Sequence, residues 1–435
     1  MDKKTILKAK ELIKLTNNHI CNYCLGRKFS GIIEAKDNFE RGVAIINELN
    51  AENQDNNYNI NNTINDLNNT ECQVCRNIIE NLDTNLIISK IKEKVSYLSL
   101  EFDSFVLGSK LPKEIVECDE KLSADIDVES ENIKKEINRI IGEILEDDLR
   151  AKVDFEDPDI IILVDLRGFF KEKEISGKNN FEDVNIRIQI NPIFIEGRYL
   201  KFKRGIPQTK WPCGKCKGKG CDECNFTGKQ YAESVEELIS EIVLKHTGGR
   251  STKFHGAGRE DIDVRMLGTG RPFVLEIKEP KIRKLDLDKI AIETNEHSKG
   301  KTEYIDLKYT IKSRKGEIKV SSPDTYKVYN ALVKCDTEIA NLELDKLQSL
   351  KVIEQRTPNR VSHRRADLVR IKEVKDIKIA NVDNDQFEMI IKTQGGLYIK
   401  ELISGDEGRS NPNVSDVLGT KAYCAQLDVI EVGIK

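Results

Sequence analysis

Apolar residues recur at helical spacing from the start of the chain. Ile6, Leu7, Ala9, Leu12 and Ile13 share one face, so residues 3–16 read as an amphipathic helix. Between about Leu98 and Phe202 the pattern alternates between strand and helix. Residues 99–108 read as a strand, and residues 133–145 as a helix with Ile137, Ile140, Ile141, Ile144 and Leu145 on its apolar side. Residues 160–166 form a continuous apolar run, the signature of a buried strand. Residues 184–190 alternate with period two, as a half-buried strand does. Ser234 and Glu237 form a capping box ahead of the apolar face Val235, Leu238, Ile239, Ile242 and Val243, and Gly248 suits the helix stop. Strand-like runs follow at 273–277, 304–311, 328–333 and 387–391, with a helix over 285–294. The expected fold class is α+β: a C-terminal domain built on a mixed, mainly antiparallel sheet, preceded by a smaller α/β domain. The boundary is placed near residue 230, giving domains 1–230 and 231–435.

The segment from about Asn47 to Thr70 breaks this pattern. It is rich in asparagine, has little apolar periodicity, and reads as a partly disordered insertion.

A length of 435 residues suits two or three domains, and a net charge of −4 gives no global basic field. Any nucleic-acid footprint must therefore be local. No apolar run is long enough to span a bilayer and no signal-peptide core opens the chain, so a cytoplasmic protein with no membrane partner is expected.

Eight of the 11 cysteines fall in four C-x-x-C pairs, which in a cytosolic chain point to metal rather than disulfides. Cys21, Cys24, Cys72 and Cys75 form one quartet, and Cys213, Cys216, Cys221 and Cys224 form a second in which glycines permit tight turns. Each set of four thiolates suits one structural Zn2+ with no open coordination position. Cys118, Cys335 and Cys424 remain as free thiols.

The second quartet lies in a basic stretch. Residues 198–229 carry nine Lys or Arg residues against Asp222 and Glu223, interleaved with Tyr199, Phe202, Trp211 and Phe226. Charge for phosphates and rings for bases suit an RNA surface, with Lys201, Lys203, Arg204 and Lys210 as the expected contacts. A second cationic stretch, RTPNRVSHRRAD, supplies Arg360, Arg364 and Arg365. The plain alternative for any such run is a solvated face.

The densest chemistry lies at 255–277. Arg259, Glu260, Asp261, Asp263 and Arg265 stand within seven residues, flanked by glycines that let backbone approach a ligand closely. A carboxylate on such a loop beside arginines suits a nucleophile or general base. Its alternative is a salt-bridged turn. Lys327 and Tyr329 in KVYNALV, and Leu397, Tyr398 and Lys400 in GGLYIKEL, complete the set: a carboxylate, a cation for it, and rings to stack on a base.

GREDIDVRMLGTGRPF, KVYNALV, RTPNRVSHRRAD and GGLYIKELISGDEGRSNPNVSDVLG, in that order, resemble the signature segments of the archaeal and eukaryotic tRNA pseudouridine synthases of the Pus-ten family. The resemblance runs from about residue 200 to the C-terminus and includes WPCGKCKGKGCDECNFTGKQY. The N-terminal half is similar to that family's zinc-bearing, THUMP-type RNA-binding domain. The resemblance implies an isomerase with no organic cofactor and tRNA as its partner. The expected substrates are uridines at one or both of positions 54 and 55 of the T-arm, and the expected state is a monomer. It implies Asp261, in G-R-x-D, as nucleophile, with Arg259 beside it. Tyr329 would stack on the uracil and act as a base; Leu397, Tyr398 and Lys400 would wall the pocket, Lys400 supplying a cation to Asp261. Asp263 would satisfy backbone or pair with Arg265.

Two competing readings are a THUMP-bearing tRNA methyltransferase or thiolase, and a zinc-dependent RNA-binding module without catalysis. A methyltransferase wants its glycine-rich turn after a first strand and before a helix. His255-Gly-Ala-Gly-Arg259 instead precedes a strand. The second reading leaves the Asp261, Tyr329 and Lys400 contexts unexplained.

Overall fold

The computed structural model describes residues 1–55, 71–128, 130–170, 181–320 and 325–433, except for the side chains of residues 53–55 and Arg364. It divides into two compact units, Met1–Asn191 and Pro192–Lys435.

The first unit opens with α1 (Lys3–Leu15), whose N-cap Asp2 accepts a hydrogen bond from the Thr5 amide, followed by α2 (Asn22–Lys28) and α3 (Asn38–Asp55). Helix α3 runs into the stretch read as an insertion, so residues 47–55 are helical. Ile45, Ile46 and Leu49 upstream pack into the core and carry the helix into the polar segment. Residues 56–70 of that stretch lie outside the described residues. Then come α4 (Thr84–Leu98), β1 (Ser104–Lys110), α5 (Lys113–Asp125), α6 (Ile133–Leu149), β2 (Lys152–Val153), β3 (Ile160–Asp165) and β4 (Asn185–Ile190). The sheet order is β2-β1-β3-β4, with β1 parallel to β2 and β3, and β4 antiparallel to β3. This is the α/β pattern that the alternation of strand and helix predicts.

The second unit begins earlier than the boundary expected near residue 230. Strand β5 (Ile193–Lys201) pairs antiparallel with β7 (Arg265–Lys278), setting Ile193 opposite Ile277, and with β8 (Thr302–Thr310). A strand hydrogen-bonded on both edges belongs to that sheet, so the second cysteine quartet also lies within the C-terminal unit.

The remaining strands are β6 (Ser251–Gly256), β9 (Tyr326–Cys335), β10 (Val352–Arg356), β11 (Val369–Ala380), β12 (Gln386–Gln394), β13 (Ser410–Asn411) and β14 (Ala422–Val432). The order is β13-β10-β11-β12-β9-β14-β7-β5-β8, with β6 on β7, and its pairs are antiparallel except β14 with β7. Helix α7 (Val235–Thr247) has Ser234 as N-cap and Gly248 in the left-handed region at its end, as the capping residues predict. Helices α8 (Leu287–His297), α9 (Arg314–Val320) and α10 (Ile399–Ser404) complete the parts needed below. Strand β7 changes partners along its length. Arg265 and Met266 pair with β14, and the later residues pair with β5 and β6. Gly268 sits in the bend between them at φ +59°, where a Cβ would lie 1.9 Å from the Ile430 carbonyl, so only glycine fits. Among the described residues no helix is long and apolar enough to cross a membrane.

Candidate active site

The loop between β6 and β7, residues 257–264, carries the charged cluster. Gly258, at φ +83°, turns the chain so that Arg259, Glu260 and Asp261 separate. Glu260 points inward and is buried. Its carboxylate accepts hydrogen bonds from the Tyr199 hydroxyl at 2.9 and 2.8 Å and from Arg271 Nε at 2.9 Å, and Lys201 Nζ lies 3.7 Å away. Burial opposes its charge, yet Arg271 and Lys201 hold the carboxyl below the usual range. Gln208 Nε2 donates to the Tyr199 hydroxyl at 2.8 Å and to the Gly258 carbonyl at 3.0 Å. Arg271 Nη1 donates to Ala257 O at 2.9 Å. Lys201 donates to Ile206 O at 2.9 Å and to the carbonyls of Asp261 and Ile262 at 3.2 Å each. The loop is thus pinned from beneath by a closed charge network.

Asp261 faces a cavity of about 490 Å³. Arg360 Nη1 approaches both of its carboxylate oxygens, at 2.9 and 2.8 Å. Arg360 Nε also donates to buried Glu401, whose other oxygen has no hydrogen-bond partner. Lys400 Nζ lies 2.6 Å from Asp263 Oδ2 and 3.8 Å from Asp261 Oδ2. The nearer cation to Asp261 is therefore Arg360, expected from the sequence as an RNA contact, while Lys400 is second and holds Asp263. The expected pairing of Asp263 with Arg265 is not formed. Arg265 binds Asp428 on the neighbouring strand β14, at 2.9 and 2.5 Å, because β7 and β14 run side by side there.

Tyr329 lies on β9 between Ile391 of β12 and Val429 of β14, with its side chain lining the cavity. Burial pushes its phenol up to about 12. The hydroxyl therefore keeps its proton at neutral pH. Leu397 and Tyr398 wall the cavity where β12 passes into α10. Gln355 of β10 fixes that turn, accepting from Tyr398 N at 2.8 Å and donating to Tyr398 O at 3.0 Å. The Arg360 guanidinium stands 5.9 Å from the Tyr398 ring centroid. Arg259 turns outward and lies 4.9 Å over the Trp211 ring at the cavity rim.

The expected RNA contacts divide. Lys201 is fully buried beneath the loop between β6 and β7 and presents nothing to solvent, because its ammonium is engaged by Glu260 and three carbonyls. Arg204 clasps β14, bonding Asp428 at 2.6 Å and Leu427 O at 2.8 Å. Lys203 and Lys210 are exposed, and Arg365 lines the cavity. The Arg364 side chain lies outside the described residues. Arg271, Glu401 and Gln355 also build the site without being singled out from the sequence, while Glu260, Lys327 and Trp211, noted there, take up places in it that the sequence did not specify. Arg271 and Glu260 sit inside the quoted GREDIDVRMLGTGRPF, where an acid and a base 11 positions apart were the available signal.

Two groups of residues could hold metal. In each cysteine quartet the four Sγ atoms lie within 4.8 Å of one another. Tetrahedral thiolates on zinc at about 2.3 Å would stand about 3.8 Å apart. The observed separations are 3.6 Å for Cys21–Cys75, 3.9 Å for Cys213–Cys221 and 3.8 Å for Cys216–Cys224. The amides of Gly220 and Gly228 donate to Cys216 and Cys224 at 3.2 Å each, as they would to thiolates. Pro212 bridges to Lys229 at the base of the second quartet, and the Trp211 ring packs edge-on against Tyr231 at 5.5 Å.

The buried network generates a prediction. Glu260→Gln keeps the shape but leaves Arg271 and Lys201 without a buried countercharge. It should cost about 3–5 kcal/mol of stability to denaturant. An unchanged midpoint would show that the cluster does not depend on that charge.

The family model described as Pus10, C-terminal matches residues 194–433, and that of the archaeal Pus10 THUMP domain matches residues 88–165. The tRNA pseudouridine synthase Pus10 of Methanothermobacter marburgensis is 47% identical over 97% of this chain and 97% of its own length. That of Methanosphaera stadtmanae is 46% identical over 85% of this chain and 90% of its own. That of Pyrococcus furiosus is 38% identical over 98% and 97%. Among solved structures, a Cbf5-Nop10-Gar1 complex covers 55% of this chain and 49% of that one, at 14% identity and a TM-score of 0.29. With the C-terminal family model matched over residues 194–433 and a relative 47% identical over 97% of both chains, the chain belongs to the Pus10 family, whose curated members carry the name tRNA pseudouridine synthase.

Proposed function

We propose that this protein isomerises uridine to pseudouridine in the T-arm of tRNA, at one or both of positions 54 and 55, with Asp261 as the nucleophile. The observation that carries the reading is a carboxylate that faces a cavity, is held by Arg360 and Lys400, and shares that cavity with Tyr329.

The reaction breaks the bond between N1 and ribose C1′, turns the base, and joins C5 to C1′. The C5 proton is lost and N1 gains one. Asp261 attacks at C1′ or stabilises positive charge there, for which it must be ionised. Arg360 and Lys400 form ion pairs with that carboxylate. The target base leaves its stack to reach the cavity, where the Tyr329 and Tyr398 rings and Leu397 pack on it. Lys203, Lys210, Arg365 and the exposed lysines of the second cysteine quartet hold phosphates. Each quartet holds one structural Zn2+, which cross-links its own turns.

Asp261→Asn should fold, keep its metal and bind tRNA, yet form no detectable pseudouridine by chemical mapping. Turnover by that variant would remove Asp261 from the role. Tyr329→Phe should keep more than about a tenth of the wild-type rate, since the phenol is protonated and the ring remains. A loss on the scale of 10²–10⁴ would restore the hydroxyl to proton transfer.

Trp211 is the single tryptophan and adjoins the second quartet. Chelating the metal should therefore shift its emission, and added Zn2+ should restore it. Emission indifferent to chelation, in protein shown to lose its metal, would uncouple the knuckle from the cavity rim.

A further inference from the structure

The cavity cations are not equally engaged. Arg271 is bonded to Glu260, Arg360 to Asp261 and Glu401, and Lys400 to Asp263. Lys327 lines the same cavity and is 7% exposed, yet among the described residues no carboxylate lies within ion-pair distance of its ammonium and no hydrogen bond satisfies it.

Strand β9 alternates, so Lys327 and Tyr329 point to the same face of the sheet, one strand repeat apart. Directly across from Lys327 on β12 is Thr393, fully buried, whose hydroxyl also has no hydrogen-bond partner. On the other side is Val432 of β14. The cavity's β9 wall thus carries an ammonium that no protein group satisfies, beside a hydroxyl that is likewise unmatched. Buried polar groups are ordinarily paired, and one that is not needs an explanation. Burial and the nearby Arg271 charge lower the Lys327 ammonium to about 7. Lys372 of β11 adds to that effect. Glu260 opposes it, but Arg271, Lys201 and Tyr199 already claim that carboxylate.

A cation without a protein partner in a cavity wall is complementary to negative charge that arrives with the ligand or develops during the reaction. Phosphates have exposed cations outside, whereas Lys327 is buried on the strand that carries the stacking ring.

We propose that Lys327 is a catalytic group that donates a hydrogen bond to a carbonyl oxygen of the uracil as it departs from C1′. When the N1–C1′ bond breaks, its electron pair stays with the base. The resulting anion spreads charge over N1, O2 and O4. Lys327 stabilises that charge without transferring its proton, and releases it when C5 bonds to C1′. The inference rests on the pseudouridine synthase reading.

The test uses the full-length, metal-loaded protein and tRNA carrying C5-tritiated uridine, with tritium release as the readout. Lys327→Met replaces the ammonium by an apolar chain of similar length. It should keep the melting temperature, and tRNA affinity within about threefold, while kcat falls about 100-fold, the scale for losing one such donor. Lys327→Arg should recover about tenfold of that loss. The pH profile separates this from a packing role. A group protonated below about 7 is a donor there and is lost above it, so wild-type kcat/KM should fall as pH rises through that value. Lys327→Arg stays charged and should lack this fall.

Wild-type kcat in Lys327→Met, or the same alkaline fall in Lys327→Arg, overturns the proposal. If Lys327→Met fails to fold, the profile of Lys327→Arg decides alone. Wild-type protein that releases no tritium at all would instead sink the synthase reading.

Discussion

The site depends on the buried carboxylate of Glu260. An isolated carboxylate in an apolar interior would cost several kcal/mol to ionise, and a half-satisfied cluster is worse than none. Here Tyr199 of β5 and Arg271 of β7 both bond it, while Lys201 and Gln208 tie the same cluster to loop carbonyls. The network joins two neighbouring strands to the loop between β6 and β7. Because Glu260 and Asp261 are consecutive and diverge, fixing one inward fixes the other outward. The exposed carboxylate is precise because its neighbour is immobilised.

The sheet supplies the rest of the frame. Strand β9 is central, paired along its length with β12 and β14, so Tyr329 is set by hydrogen bonds on both edges. Arg360 and Lys400 come instead from the segments that follow β10 and β12. Gln355 and Glu401 orient those segments. Rigid strands therefore place the Tyr329 ring, and shorter segments with polar clamps place the cations beside Asp261.

Much of this was legible in the sequence. Amphipathic spacing found the helices at 3–15, 133–149 and 235–247, period-two alternation found β4, and a strand-like run marked β9. The cysteine pairs marked both quartets, and G-R-x-D with its glycines marked the loop. What failed was long-range. Residues 193–201 read as part of the preceding α/β pattern, because a strand's sequence does not name its sheet; only pairing with β7 and β8 does. Lysine and arginine were equally ambiguous. Lys201 and Arg204 have the residue types of an RNA surface, but whether a cation faces solvent or a buried carboxylate depends on an acid about 60 or 220 positions away. Arg360, expected as an RNA contact, likewise pairs with acids far along the chain, Asp261 and Glu401. The helix that reaches Asp55 shows the converse: an asparagine-rich tract is held helical by an apolar face upstream.

These reassignments bear on how a chain of net charge −4 would hold a polyanion. Lys201, Arg204, Arg271 and Arg360 are engaged internally, so they add little to long-range attraction. Within the two basic stretches, the described cations left unpaired at the surface are Lys203 and Lys210, Lys217 and Lys219 of the cysteine knuckle, and Arg365 at the cavity. Surface charges separated by more than about 10 Å are largely screened at moderate salt, so clustering matters more than totals. Lys210 lies next to Trp211, and the knuckle follows directly. The ring beneath Arg259 thus joins the loop that carries Asp261 to the segment that carries the exposed lysines. Affinity and chemistry meet at one rim, and an internal charge network spends its arginines on geometry rather than on phosphate.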